Sequence, residues 1–122
     1  MIIDIKDYNH AQDIVPSRYK RLWRKVEQVL ESMPLHLKAS SQRGKVGTPI
    51  FDPVGTNQYI KDELGAFGWS LNVPIPPAFR FLGKDVDFAK SGVLAEVQFS
   101  NYPFLLSNLL RSELFFKSGT IF

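Results

Sequence analysis

Apolar residues recur at three- and four-residue steps through residues 16–33. Tyr19, Leu22, Trp23, Val26, Val29, Leu30 and Met33 form one stripe, and that spacing predicts an amphipathic helix. Pro16 suits its first turn, and Pro34 lies just beyond its end. The pattern then lapses. Gly44, Gly47, Pro49, Pro53 and Gly55 predict a loop-rich stretch over residues 36–55. "TNQYIKDEL" reads as a short helix with Thr56 or Asn57 as its N-cap. "NVPIPPAF" reads as extended, because its three prolines oppose a helix. "KDVDFA" and "VLAEVQF" alternate as strands do, around a "KSG" turn. A last helix is expected from Tyr102, with Asn101 as N-cap, Pro103 in the first turn and Gly119 as its stop. Leu105, Leu106, Leu109, Leu110, Leu114, Phe115 and Phe116 make that helix apolar over more than one stripe. It needs cover on two sides, from its own core or from a second subunit.

The two strands carry polar residues whose placement depends on register. If Phe88 pairs with Ala95, Asp87 lies opposite Glu96, and Gln98 shares their face. Ala95, Val97 and Phe99 then point inward. Facing carboxylates repel, and in a partly desolvated site they need a positive partner. A divalent cation, an arginine or lysine, or plain exposure to water each resolves the conflict. From spacing alone, a solvated hairpin is the plainer reading.

Composition narrows the chemistry. The 122 residues, 44% of them apolar, suit one domain with a modest core, residues 1–122. No apolar run approaches the roughly 20 residues of a membrane span. "MIIDIKDYNH" is not a secretory signal, since acids fall within its first seven residues and no long apolar region follows. The absence of cysteine excludes disulfides and thiolate zinc sites and fits a cytoplasmic location. With only His10 and His36 present, a metal would be held by oxygen, as magnesium or calcium are. The net charge of +3 is compatible with a polyanionic partner. Arg18, Lys20, Arg21, Arg24 and Lys25 crowd the first half of the first predicted helix, where a solvated face is the expected reading. Lys38, Arg43 and Lys45 belong either to a mobile basic loop or to phosphate contacts, and the glycines near them do not form a Walker pattern.

Asp87, Glu96 and Gln98 read D-x8-E-x-Q. This resembles the metal-binding signature of the PD-(D/E)xK nucleases, with Gln in place of the usual Lys. The longer blocks "DYNHA", "MPLHLKAS", "KVG", "IFDPVGTNQYIKDEL", "EVQFSNYPFLL" and "RSELF" resemble one family in particular, the BglII restriction endonucleases. The likeness covers nearly the whole chain and ends where the chain ends, whereas family members continue. A C-terminally truncated chain is therefore expected.

The resemblance implies an α/β fold, a restriction-endonuclease-like core with a mixed β-sheet flanked by helices. It implies a homodimer that cuts double-stranded DNA at the palindrome AGATCT with magnesium. By position, Asp87 matches the acid that ligates the metal, and the carbonyl of Val97 the second protein ligand. Glu96 and Gln98 match residues that position waters. Asn72 matches a side chain that orients the attacking water. Ser100 and Asn101 match residues that reach base edges, and Arg111 a DNA-facing residue of the last helix, itself part of the dimer interface. Two other readings stay open on sequence: an inactive remnant, and a non-enzymatic DNA-binding or dimerising α/β domain.

Overall fold

The structure, a computed structural model, describes residues 3–99 and 102–120. The chain divides into two compact units, Met1–Phe67 and Gly68–Phe122, each with its own sheet. The fold class is α/β, as expected, and every strand pair described is antiparallel.

In the first unit the amphipathic segment is two helices, not one. α1 spans Ala11–Arg18 and α2 spans Lys20–Ser32. Pro16 lies inside α1 rather than in a first turn, so the helix starts five residues earlier than its apolar stripe predicts. Pro16 supplies no N–H, and the Ser17 hydroxyl donates back to the carbonyls of Asp13 (2.6 Å) and Ile14 (3.1 Å). Both features bend helices, and the break follows at Tyr19, with φ −114° and ψ 29°. Val29 is the buried centre of the α2 stripe.

Residues 36–55 are more ordered than their glycines and prolines suggest. β1 (Leu37–Ala39) pairs with β2 (Pro49–Phe51), Lys38 lying opposite Ile50. α3 spans Pro53–Ala66, and its N-cap is Asp52, neither Thr56 nor Asn57. The Asp52 carboxylate accepts the Val54 N–H at 3.1 Å, and Pro53 occupies the first position, where its missing N–H costs nothing. Thr56 is instead buried inside the first turn, its hydroxyl donating to the Asp52 carbonyl at 2.8 Å. Ile60 and Leu64 form the buried stripe of α3.

In the second unit β3 (Ser70–Pro74), β4 (Asp85–Lys90) and β5 (Val93–Ala95) form a sheet in that order. The "NVPIPPAF" segment is extended only in its first half. Pro77 opens a 3-10 helix, Pro77–Leu82. Ser91 (φ 51°) and Gly92 (φ 79°) make the two-residue turn between β4 and β5. Positive φ at both central positions matches the right-handed twist of the paired strands. α4 spans Tyr102–Ser118, with Pro103 in its first turn; Asn101 lies outside the described residues. Gly119 closes α4 as expected. It adopts φ 68° and donates to the Phe116 carbonyl, while Thr120 donates to that of Phe115.

The core of this unit joins Ile75, Val86 and Phe115, with Val73, Phe79, Leu82 and Leu94 packed against them. Phe115 meets Phe79 edge-on, ring centroids 5.7 Å apart. The other apolar residues of α4, among them Leu105, Leu106, Leu109, Leu110 and Phe116, are exposed. Phe115→Ala should therefore cost about 3–5 kcal/mol of stability. Its neighbour Phe116, 83% exposed, should tolerate alanine within about 0.5 kcal/mol. Urea unfolding of the two variants checks the contrast, and equal losses would contradict this core.

Candidate active site

The expected register is the observed one. Phe88 pairs with Ala95, Ala89 with Leu94 and Lys90 with Val93. Asp87 and Glu96 therefore face each other, and the contacts between them are direct. The Asp87 N–H approaches Glu96 Oε2 at 3.5 Å, and the Val97 N–H donates to Asp87 Oδ2 at 2.8 Å. That second bond explains a correction. β5 stops at Ala95 instead of running to Phe99, because the next amide is taken by a side chain rather than by the backbone of β4. Ala95, Val97 and Phe99 are accordingly half-buried, not core.

β3 adds a member from the other side. Its pairing of Leu71 with Phe88 and Val73 with Val86 sets Asn72 opposite Asp87. Asn72 and Asp87 on neighbouring strands, and Glu96 one residue beyond the end of β5, thus lie in one row. Asn72 holds φ 48°. Asn tolerates this left-handed conformation better than most residues, though at some cost in strain.

Arg111 of α4 completes the group. Its Nη2 pairs with Glu96 Oε1, and its Nη1 donates to the carbonyls of Leu82 and Asp85, each at 3.3 Å. Both side chains of the pair are shielded, Arg111 to 11% exposure and Glu96 to 16%. Gly83 makes room for this approach. At its φ of 134° a side chain is strained, and a Cβ there would lie 2.9 Å from Arg111 Nη1. The resemblance did not anticipate the pairing of Arg111 with Glu96, and 15 residues separate the two in sequence. The one sequence signal was electrostatic: facing acids call for a cation.

Gln98 stands apart. It is exposed, and its amide donates to the Phe99 carbonyl at 3.5 Å rather than joining Asp87 or Glu96. Ser100 and Asn101 lie outside the described residues.

Burial pushes the Glu96 carboxyl above its ordinary range; Arg111 pulls it down, and the Asp87 charge opposite pushes it up. Among the described residues no three His, Cys, Asp or Glu side chains are grouped to hold a metal. The hard oxygen donor at this point is the Asp87 carboxylate, whose Oδ2 accepts the Val97 N–H. This fits magnesium, which keeps most of its waters and takes only one or two carboxylates.

Residues 3–122 match the family described as restriction endonuclease BglII/BglIII, and the chain belongs to that family. Type II restriction enzyme BglII of Bacillus subtilis is 62% identical over 119 residues, which are 98% of this chain and 52% of that protein. The chain spans about half the length of this curated relative. Two solved structures are also similar. The crystal structure of restriction endonuclease BglII complexed with a DNA 16-mer matches with TM-score 0.91 and 60% identity, over 99% of this chain and 53% of the other. That of free BglII matches with TM-score 0.68 and 59% identity, over 96% and 55%. Among the described residues no helix is long and apolar enough to cross a membrane.

The raised Glu96 carboxyl sets a pH dependence. It binds its proton more tightly in the folded chain than in the unfolded one. Its contribution to stability is whole below the ordinary value of 4.5 and is lost as pH rises through the folded value. Relative to Glu96→Gln, the unmodified chain should lose stability across that window and level off above it. Urea unfolding from about pH 4 to about pH 8 checks this, and a constant difference would contradict it.

Proposed function

We propose that this chain carries the catalytic part of a type II restriction endonuclease. The reaction is magnesium-dependent hydrolysis of phosphodiester bonds in double-stranded DNA, by a homodimer in the cytoplasm, at AGATCT. The observation that carries the reading is the row Asn72–Asp87–Glu96, in a chain of the BglII family. The relative crystallised on a DNA 16-mer supports the substrate.

In this reading Asp87 and the Val97 carbonyl hold magnesium. When bound, the ion polarises the phosphate and lowers the pKa of its water. Glu96 is kept from the metal by Arg111 and serves as a fixed acceptor that orients water. Asn72 orients the attacking water from the opposite strand. Gln98, neutral where the superfamily usually has lysine, cannot offset developing negative charge, and to orient water its amide would have to exchange the Phe99 carbonyl for the site. Ser100 and Asn101 reach base edges, since an Asn amide can pair with adenine bidentately in the major groove. Arg111, shielded and bonded to Glu96 and to two carbonyls, acts by holding Glu96 in place, and the DNA-facing role that the resemblance implies for it would require it to leave those partners. A second copy covers the exposed apolar side of α4, and twofold symmetry then matches a palindrome.

The test is cleavage of a plasmid with one AGATCT site by the full chain. A single cut is expected with magnesium and none with EDTA. Asp87→Asn, which keeps an acceptor for the Val97 N–H, should abolish cutting. Glu96→Gln should slow it about 10–100-fold, as loss of an outer-shell partner does. Cutting that survives in EDTA or in Asp87→Asn would overturn the assignment.

A further inference from the structure

α2 places Lys20, Arg21, Arg24 and Lys25 within its first six residues and has no acid in its first turn. Lys20 and Arg24 are i,i+4 neighbours, as are Arg21 and Lys25, and Arg21 and Arg24 are three apart. Like charges at these spacings oppose helix formation. Lys25 is partly accommodated, with its ammonium 4.3 Å from the Phe67 ring centre and 3.3 Å from Gln28 Oε1. Lys20, Arg21 and Arg24 are not. All three are exposed, and among the described residues none forms an ion pair. The acids of the helix, Glu27 and Glu31, come only after the cluster and do not pair with it.

A face that merely keeps a helix solvated interleaves its acids with its bases, because opposite charges at these spacings support the helix. Here the signs are segregated. At 3.6 residues per turn the three cations share one side of α2, opposite the apolar stripe around Val29. That stripe is turned into the protein, with Val29 buried and Leu22, Trp23, Val26 and Leu30 half-buried. A helix that binds a bilayer surface needs its apolar face free, so the arrangement favours a polyanion met in water.

We infer that Lys20, Arg21 and Arg24 form a sequence-independent contact to the phosphates of duplex DNA, distinct from the residues assigned to cleavage and base reading. This rests on the proposed DNA substrate and deepens it. The contact supplies non-specific affinity, by which an endonuclease is held on DNA while it finds its site.

The test compares the full chain with the double variant Arg21→Gln/Arg24→Gln. Binding is measured in EDTA, over a salt series, on duplexes with and without AGATCT. At about 0.9 per phosphate contact, the slope of log affinity against log salt should become shallower by about two in the variant, equally on both duplexes. The variant should also melt no lower than the parent, since it removes like-charge neighbours. Equal slopes, with parent binding intact, would overturn this inference alone, as would a loss confined to the AGATCT duplex. A lower melting temperature would show that the arginines have structural partners and would overturn it too. A folded parent that binds neither duplex would overturn the DNA reading itself, and this contact with it.

Discussion

Asp87 and Glu96 sit opposite each other on a half-buried hairpin, and two carboxylates so placed repel. The local structure of the second unit is arranged around that conflict. Arg111 reaches from α4 to neutralise Glu96, and Gly83 leaves the space for it to do so. The Val97 amide turns toward Asp87 instead of continuing the ladder, and the strand ends there. One acid is thereby committed to an arginine, and the other to the Val97 amide. The two acids are alike in type and differ in what surrounds them, which gives them different chemical capacities.

Backbone constraints hold this asymmetry in register. The Ser91–Gly92 turn fixes the pairing of β4 with β5, and a slip of one residue would move every side chain to the opposite face. On the other edge, Asn72 holds a left-handed conformation opposite Asp87. A strained residue persists only where its surroundings over-determine it. Here the pairs on either side, Leu71 with Phe88 and Val73 with Val86, do so. The core beneath, built on Val86, Ile75 and Phe115, ties β4 to the helix that delivers Arg111.

The hairpin was legible in sequence because alternation and a Ser-Gly turn are local signals, and together they determine which residues face each other. The last helix and its glycine stop were legible for the same reason. Features that depend on distant partners were not. The ion pair of Arg111 with Glu96 crosses 15 residues, and no spacing rule anticipates it. Gln98 left the expected face because the period-two argument requires a ladder, and the ladder had ended at Ala95. The short β1–β2 pair was hidden by Gly44 and Gly47, which serve the connection between the strands, and by Pro49, which opens β2 itself. Asp52 displaced Thr56 as the cap because Pro53 extends α3 backward beyond its polar start. The break at Tyr19 follows Pro16 inside the helix and Ser17 bonding back to it, which an apolar stripe cannot reveal. The individual roles at the site came from family resemblance rather than from pattern.

The bond from Val97 to Asp87 also has a genetic consequence. An aspartate codon becomes an asparagine codon by a single base change, and the asparagine oxygen can still accept that amide. The hairpin can therefore lose its charge without losing its shape. Selection that acts only through folding would be blind to the change. A gene drifting away from its activity through this codon would go on encoding a well-formed protein, so a sound fold in such a lineage is no record of retained chemistry.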